Sequence, residues 1–267
     1  MAAPVSRPVE HLSPGLNERP LDGLVALVTG GGSGIGRASA LALARQGASV
    51  VVAGRRADAV QRTAATGGHG ISAAPGDVTR LAAAERILKT ALQVSGQLHV
   101  LVNNAGSVAP TPLGETKIET AEALWRTNVL GPTLLAELAL PHLERTRGTI
   151  INVSSTFGHK PAPGISQYGA SKAALEHLTR SWAVEVAERG VRVNAIAPGP
   201  TESEALERSG LPPSAIEQIK EDERRAIPLG RRGEPDDVAH WIVALADPRA
   251  AWITGQVIGI DGGYGLA

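Results

Sequence analysis

Two side chains four positions apart, Tyr168 and Lys172, have the chemistry needed for proton transfer. In a helix this spacing places both on one face, so the ammonium would lie beside the phenol. A free tyrosine has a pKa near ~10 and is a poor acid or base at neutral pH. Because a neighbouring positive charge favours the phenolate, we expect Lys172 to bring the pKa of Tyr168 towards the working range. The same spacing also occurs in ordinary surface pairs, so it does not identify an active site alone.

A hydroxyl precedes the tyrosine at a distance suited to holding a substrate. Ser155 stands thirteen residues before Tyr168, at the end of a predicted strand, where parallel sheets place ligand chemistry. Its hydroxyl could hydrogen-bond a carbonyl oxygen and keep that oxygen near the phenol. Ser154 is the adjacent candidate for the same role.

A glycine-rich turn, Thr29–Gly36, follows the first apolar run and opens the first predicted helix. Gly30 would let the backbone turn tightly, Gly34 would leave room for a pyrophosphate, and Gly36 would let the helix pack close to the sheet. The helix N-terminus offers N–H groups and a partial positive charge to phosphates. A turn with a purely structural role is the alternative. The spacing is Gly-x-x-x-Gly-x-Gly, not the Gly-x-Gly-x-x-Gly of many dinucleotide folds.

The elements that must position these groups alternate along the chain. Short, almost continuously apolar runs predict strands buried on both faces. They are Leu24–Thr29, Ala48–Ala53, a weaker run near Ile71, His99–Asn103, Thr149–Ser154, Val191–Ala197 and Gln256–Ile260. The predicted helices are Ile35–Gln46, Leu81–Ser95, Thr120–Arg145, Gln167–Arg189 and Pro235–Ala246. This alternation predicts an α/β fold: a doubly wound, Rossmann-like parallel sheet of about seven strands with helices on both faces.

We expect residues 21–267 to form a single domain behind a flexible tail, residues 1–20, which carries prolines among charges. One segment, Thr201–Ile227, breaks the alternation because it is polar and charged and contains glycine and proline. Long insertions of this kind are often lids, so we predict a substrate lid there. An ordinary surface helical hairpin is the alternative.

The composition excludes several classes of function. Lys plus Arg and Asp plus Glu each number 26, and no basic run appears, so a nucleic-acid partner is not expected. The chain has no cysteine, and its scattered histidines form no ligand pair, so no metal is assigned. No apolar run approaches the roughly 18 residues of a membrane span, so no membrane partner is expected and cytoplasmic location is the default. We interpret His159 as a solvated loop residue, with substrate contact as the alternative.

These motifs together resemble the short-chain dehydrogenase/reductase family, in its compact one-domain form. The resemblance extends from Leu21 to Leu266. It rests on the Thr29–Gly36 turn, Asn103–Gly106, Asn128, Ser155, Tyr168 with Lys172, Pro198-Gly199, and Asp261–Gly263.

The resemblance implies a role for each catalytic position. Tyr168 resembles the catalytic acid/base and Ser155 the hydroxyl that orients the substrate; the thirteen-residue separation from the tyrosine favours Ser155 over Ser154. Lys172 resembles the residue that holds the nicotinamide ribose and, together with the positive nicotinamide ring, lowers the tyrosine pKa. Asn128 resembles a helix residue that binds a water and links the lysine to a proton relay; a bond to a backbone carbonyl could coexist with that role.

The resemblance also implies a dinucleotide site. Asp77 and Val78 resemble the pair that contacts adenine, and Thr201 the residue that meets the nicotinamide carboxamide. The full set of cofactor-binding candidates is Gly30, Ser33, Gly34, Ile35, Gly36, Arg55, Arg56, Asp77, Val78, Asn104, Ala105, Gly106, Tyr168, Lys172, Pro198, Gly199, Thr201 and Ser203.

The second strand ends in Gly54-Arg55-Arg56, with no carboxylate where dinucleotide folds bind the adenosine ribose hydroxyls. Arg55 could present its planar fork to a 2′-phosphate, with Arg56 assisting. We therefore expect NADP(H) to be preferred and NAD(H) to remain possible, because Ser33 stands where many NADP-preferring relatives carry a second basic residue. Two arginines solvated at a helix start are the alternative.

The expected activity is hydride transfer between NADP(H) and a small carbonyl or secondary alcohol, with Ser155 and Tyr168 as the substrate contacts. A dinucleotide sensor without turnover, or an isomerase, epimerase or dehydratase that retains its cofactor, are the alternatives. The resemblance suggests a homotetramer in which Thr120–Arg145 and Gln167–Arg189 pair between subunits, with a further contact through Gln256–Ala267. The sequence does not select the substrate.

Overall fold

The computed structural model describes residues 19–203 and 212–267 of the chain. Within these ranges seven parallel strands form one sheet, in the order β3-β2-β1-β4-β5-β6-β7. The strands are β1 (Val25–Thr29), β2 (Ser49–Gly54), β3 (Ile71–Pro75), β4 (Val100–Asn103), β5 (Thr149–Val153), β6 (Arg192–Pro198) and β7 (Val257–Ile260). The predicted doubly wound sheet is confirmed.

Helices cover both faces of the sheet. They are α1 (Gly34–Arg45), α2 (Ala57–Gly67), α3 (Leu81–Ser95), α4 (Ile118–Trp125), α5 (Gly131–Thr146), α6 (Ser166–Val186), α7 (Pro213–Ala226) and α8 (Pro235–Ala246). Alternate residues of β1 enter two separate cores: Val25 and Leu27 pack with α3, α5 and α6, whereas Ala26 and Val28 pack with α1 and α8. This explains the continuous apolar runs, because both sides of each central strand are buried.

The edges of the sheet depart from that pattern. In β7 all four residues are partly or fully exposed, and β3 alternates between buried and exposed positions. Helix α2 was not predicted. It buries only Ala59, Val60 and Thr63 among polar and alanine residues, so its apolar stripe is too narrow to stand out in the sequence.

The predicted helix Thr120–Arg145 is interrupted. After α4 the chain makes one π-helical turn, Arg126–Leu130, before α5 begins. Single π turns inside α-helices are often found at functional sites, and this one carries the fully buried Asn128. Helix α6 ends three residues before the predicted Arg189 and continues as a short 3₁₀ turn.

The segment predicted as a lid contains helix α7. Residues 204–211 lie outside the described part of the chain, as does the predicted tail up to residue 18. Ile216 of α7 is buried, as is Ile227 directly after the helix, so the segment contributes to the core more than its polar composition indicated.

The strand order reverses between β1 and β4, which are neighbours although two strands separate them in the chain. At such a point the crossover connections leave in opposite directions and open a crevice at the carboxyl ends of the strands. The glycine-rich turn follows β1 and Asn104 follows β4, so both line this crevice.

Candidate active site

The glycine-rich turn requires its glycines for two different reasons. Gly30 and Gly34 adopt positive φ angles of 66° and 51°, which L side chains rarely adopt. Gly36 has a different constraint, because a Cβ there would lie 2.4 Å from the Gly30 carbonyl oxygen and 2.3 Å from Asn104 Nδ2. The close packing expected at Gly36 is therefore with the turn and with Asn104.

The start of α1 carries no carboxylate in its first turn. Ser33 precedes the helix in extended conformation, and its side chain makes no capping hydrogen bond to it. The Ser33 hydroxyl accepts a hydrogen bond of 3.2 Å from Arg56 Nη2 instead. The helix N-terminus, with Ile35 beside Gly34, thus retains the positive electrostatic character that attracts phosphate.

A cluster of hydrogen bonds ties the ends of β1 and β4 together across the crevice. The Thr29 hydroxyl accepts from the backbone N–H groups of Asn104, at 3.0 Å, and Ala105, at 2.9 Å. Asn104 Nδ2 donates to the Thr29 carbonyl at 2.8 Å. These hydrogen bonds hold the Asn104–Gly106 turn against the end of β1. Thr29 supports that turn, a role that was not predicted from the sequence.

Asn128 is fully buried and hydrogen-bonded through both ends of its side chain. Its Oδ1 accepts from Ser107 N–H at 2.9 Å, and its Nδ2 donates to the Ser107 carbonyl at 2.9 Å and to Ser171 Oγ at 3.0 Å. A Cβ at Gly106 would lie 3.4 Å from both Asn128 Oδ1 and Lys172 Nζ. The asparagine and the lysine therefore approach the same backbone position.

Lys172 is 4% exposed, and its Nζ donates a hydrogen bond of 2.8 Å to the Val153 carbonyl at the end of β5. Burial disfavours the charged ammonium and lowers the pKa of Lys172 to about 8, while the carboxylate of Glu176 acts in the opposite direction. The lysine thus titrates within reach of physiological pH.

Tyr168 lies one helical turn before Lys172, with the lysine Nζ 5.9 Å from the centre of its ring. The expectation that its pKa is lowered is wrong for the protein alone. Burial raises the pKa of Tyr168, and a hydrogen bond with Ser155 lowers it by less. Tyr168 as a whole is partly exposed, but its hydroxyl end is enclosed, and there desolvation outweighs the hydrogen bond with Ser155.

The two adjacent serines point to different partners. Ser155 is the one that meets Tyr168. Ser154 Oγ donates to a Glu176 carboxylate oxygen at 2.9 Å and lies 3.3 Å from the Lys172 carbonyl, behind the site. The structure therefore agrees with the preference for Ser155 over Ser154: Ser155 faces the phenol and Ser154 does not.

Comparison with known proteins agrees with this geometry. A family model described as Enoyl-(Acyl carrier protein) reductase matches residues 30–265. The chain is 37% identical over 247 residues to 3-oxoacyl-[acyl-carrier-protein] reductase FabG from Thermotoga maritima, covering 91% of this chain and 98% of that protein. The chain belongs to the short-chain dehydrogenase/reductase family. As a member of it, the protein is an oxidoreductase.

Other members of the family differ in the substrates that their names state. The chain is 36% identical over 258 residues to the hydroxynaphthalene reductase-like protein Arp2 from Metarhizium majus, covering 92% of this chain and 96% of that one. A crystal structure of 3-ketoacyl-(acyl-carrier-protein) reductase from Brucella melitensis complexed with NADH superimposes with a TM-score of 0.84 at 31% identity, covering 91% and 99% of the two chains.

In this short-chain dehydrogenase/reductase, the residues expected at the adenosine end of the crevice are spread over an open edge. Arg55 and Arg56 are both exposed, and Arg55 acts electrostatically on Asp77, whose pKa is lowered. Desolvation, the largest single effect, raises the pKa of Asp77, but it is outweighed by two hydrogen bonds from Thr79 and by the charges of Arg55 and Arg80. Val78 is buried, and its side chain approaches Gly131.

The nicotinamide-side candidates follow β6. Pro198 ends the strand, and a Cβ at Gly199 would lie 2.6 Å from the Asp261 side chain, which forces glycine there. Thr201 Oγ1 donates to the Gly199 carbonyl at 2.9 Å. Ser203 Cβ lies 3.4 Å from where a Cβ of Gly34 would be. This loop therefore reaches the glycine-rich turn.

Two groups next to the catalytic set were missed in the sequence or interpreted differently. Glu176 is buried and accepts from Ser154, and its Oε1 lies 3.3 Å from His159 Nδ1. The interpretation of His159 as simply solvated is incomplete, because its exposed ring is held by a buried carboxylate. The available signal for Glu176 was its position four residues after Lys172 on the same predicted helix. That spacing is also typical of ordinary surface ion pairs.

Two further features concern function more broadly. Among residues 19–203 and 212–267, no cluster of three His, Cys, Asp or Glu side chains is arranged to hold a metal ion. In the same part of the chain, every helix is too short or too polar to cross a lipid bilayer.

Proposed function

We propose that the protein is an NADP(H)-dependent oxidoreductase that interconverts a carbonyl and a secondary alcohol. The observation that carries this proposal is the convergence of Ser155, Tyr168, Lys172 and Asn128 at the carboxyl ends of β4 and β5, beside a phosphate-binding turn. The names of the relatives from Thermotoga maritima and Brucella melitensis, both carbonyl reductases, support the same reaction class.

The residues fit a dinucleotide on the geometry of the chain itself. Gly34 adopts a positive φ and adds no side chain at the α1 N-terminus, and Gly106 adds none in front of Asn128 and Lys172. We propose that the glycine-rich turn holds the pyrophosphate. Asp77, Val78 and the Asn104–Gly106 turn would hold the adenosine side, Tyr168 and Lys172 the nicotinamide ribose, and Pro198, Gly199, Thr201 and Ser203 the carboxamide side.

NADPH, when bound, supplies the hydride that reduces the carbonyl carbon. Tyr168 is protonated at neutral pH because burial raises its pKa, so its hydroxyl holds the proton that the carbonyl oxygen needs. Ser155, hydrogen-bonded to that phenol, would stabilise the negative charge developing on the substrate oxygen. Lys172 would stabilise the phenolate left behind, and Asn128 would hold the water that returns a proton through the lysine.

Preference for NADPH over NADH is part of the proposal. Arg55 and Arg56 stand exposed at the carboxyl end of β2, and the Arg56 guanidinium already reaches Ser33 of the phosphate-binding turn. Both would pair with a 2′-phosphate, Arg55 from the side of Asp77. The Brucella melitensis relative complexed with NADH shows that the family also accepts the cofactor without that phosphate, which is why we propose preference and not exclusion.

The decisive experiment is a panel of carbonyl compounds assayed by NADPH absorbance, including a 3-oxoacyl thioester, a cyclic aromatic ketone and an enoyl thioester. We expect consumption with at least one ketone. Three outcomes contradict the proposal: consumption with the enoyl thioester alone, NADPH binding without turnover of any compound, or cofactor that copurifies and is not consumed while the substrate is rearranged.

We propose that the protein is a homotetramer built through α4 to α6. Large apolar side chains on these helices are exposed, including Ile118, Leu130 and Val184, and Trp252 before β7 is fully exposed as well. Covering such side chains between identical subunits removes apolar surface from water. Light scattering at micromolar concentration should give four times the chain mass, and a monomeric mass would contradict the proposal.

We propose that α7 closes over the substrate. Buried Arg232 connects this region to the cofactor-side loop, because its side chain donates to Glu202 Oε1 at 2.8 Å and to the Thr201 carbonyl at 2.9 Å, and pairs with Glu223 of α7. Hydrogen exchange in α7 should slow when NADP and a substrate analogue bind together. Equal exchange in the free and ternary states would contradict a gating role.

A further inference from the structure

Glu176 is a charged side chain buried beside the catalytic set without a role in the reaction described above. It lies on α6 one helical turn after Lys172 and is only 4% exposed. Its Oε1 accepts a hydrogen bond of 2.9 Å from Ser154 Oγ and lies 3.3 Å from His159 Nδ1. Burying a carboxylate costs free energy unless it is hydrogen-bonded or paired, so these two contacts offset the cost of burying Glu176.

Both partners of Glu176 belong to the stretch that carries Ser155. Ser154 precedes Ser155 in the chain, and His159 follows it after a single 3₁₀ turn. Between them, a Cβ at Gly158 would lie 2.4 Å from Glu176 Oε1 and 3.2 Å from the Lys172 carbonyl carbon. The turn is therefore pressed directly onto α6 at the level of the carboxylate, and only glycine fits at this contact.

The charge of Glu176 also acts on the lysine. The titratable groups that face it are Lys172 on its own helix and His159 on the turn after β5. Burial lowers the pKa of Lys172 to about 8, and the carboxylate counteracts part of that effect. Without it, the ammonium would lose its proton at a still lower pH.

We propose, on the basis of the proposed function, that Glu176 is a positioning residue. Its carboxylate fastens the turn that carries Ser155 to the helix that carries Tyr168 and Lys172, and its negative charge keeps the neighbouring lysine protonated. The serine and the phenol come from different elements, so their hydrogen bond depends on this attachment. Ser154, next to the catalytic serine, is the link that makes the attachment.

Two variants separate the attachment from the charge. Glu176→Gln removes the charge and keeps a side chain of the same shape, whereas Ser154→Ala removes the hydrogen bond and keeps the charge. Glu85→Gln on α3 is the matched control, because Glu85 is exposed and far from the site in sequence. For each protein, kcat, KM for NADPH and the pH dependence of kcat/KM for NADPH are measured.

We expect Glu176→Gln to move the alkaline decline down by about one pH unit, the size of shift that a close opposite charge produces, and so to lower kcat/KM for NADPH about fivefold at pH 8. Ser154→Ala should lower kcat with the decline unmoved and KM for NADPH little changed. Glu85→Gln should match the wild type. A wild-type kcat and alkaline decline in Glu176→Gln, or a loss of thermal stability without either kinetic change, overturns the proposal.

A measurement that needs no turnover keeps this test independent of the proposed function. In protein labelled with 13C at the lysine ε-carbon and free of cofactor, the Lys172 signal should titrate at lower pH in Glu176→Gln than in the wild type. If the carbonyl panel fails but this shift is seen, the reaction is wrong and the role of Glu176 towards Lys172 stands. An unshifted titration overturns that role.

Should Glu176→Gln not fold, Glu176→Asp provides the second variant. The aspartate retains the charge but is one methylene shorter, so it loses contact with Ser154 while remaining near Lys172. We expect a lower kcat with the alkaline decline still near pH 8. A wild-type kcat in Glu176→Asp overturns the positioning role.

Discussion

The two ends of the crevice are constructed in opposite ways. At the proposed catalytic end, Asn128, Ser155 and Lys172 are buried. Asn128 accepts a hydrogen bond from the Ser107 N–H, and Lys172 donates one to the Val153 carbonyl. At the adenosine end, Arg55 and Arg56 are exposed at the tip of β2. The same sheet therefore presents one set of groups that is buried before any ligand arrives and another that lies at the surface, where Arg56 donates a hydrogen bond to Ser33.

This difference follows from what each end must do. Proton transfer requires groups whose distances and pKa values are set, and burial among satisfied partners provides both. Recognition of a phosphate at the surface requires only flexible positive charge, and such contacts are screened by solvent. Substitutions at the catalytic end should therefore have large effects on turnover, and those at the adenosine end smaller effects on selectivity.

The largest effect is expected for Tyr168→Phe. Removing only the phenolic hydroxyl should lower kcat by the ~10²–10⁴ typical of a lost general acid, while binding of NADPH changes little. The control is Tyr264→Phe, because Tyr264 packs its ring on Phe157 and under Lys160, contacts that phenylalanine retains in part. Near-wild-type turnover in Tyr168→Phe would show that another group moves the proton.

The next effect concerns cofactor selectivity. Arg55→Ala should reduce the ratio of kcat/KM for NADPH to that for NADH roughly ten- to a hundredfold, the equivalent of about 1.5–3 kcal/mol for one charge-assisted contact. Arg56→Ala should reduce it as well and loosen Ser33. Arg62→Ala is the control, because Arg62 is paired with Asp58 on the outer face of α2. A wild type that favours NADH, or an unchanged ratio in both variants, would contradict the assignment.

The fold and the placement of the candidate catalytic residues could be predicted from the sequence because their signals are local. The order of strands and helices, the turn after β1 and the spacing of Tyr168 and Lys172 all follow from short patterns with clear physical meaning. The same patterns predicted which residues would meet at one edge of the sheet, and the structure places Ser155 beside Tyr168 there.

What the sequence did not predict depends on packing between distant parts of the chain. The π turn carries Asn128, whose side chain hydrogen-bonds Ser107 and Ser171. Nothing in the local sequence predicts this turn, because both partners are distant in the chain. The pKa of Tyr168 was expected to fall because the positive charges of the lysine and of a bound nicotinamide ring were counted and burial was not. The contact of Glu176 with Ser154 forms only when the turn after β5 packs against α6, so the sequence alone does not predict it.

The smallest of the three effects tests the catalytic end without altering its shape. Lys172 is protonated below its pKa of about 8 and neutral above it, and only the ammonium stabilises a phenolate at Tyr168. The value of kcat/KM for NADPH reports ionisations of the free enzyme. It should therefore decline above pH 8, by about tenfold per pH unit, because one required proton is lost.

The sign and the assignment of that decline can both be checked. Burial raises the pKa of Tyr168, so loss of the phenolic proton belongs to a more alkaline range than the loss at Lys172. Lys172→Arg keeps a charge that does not titrate in this range, so it should remove the decline near pH 8 even where its lower activity shows an imperfect fit. A decline at the same pH in wild type and Lys172→Arg would assign it to another group. The buried Lys172 would then only donate its hydrogen bond to the Val153 carbonyl, and it would not stabilise the phenolate of Tyr168.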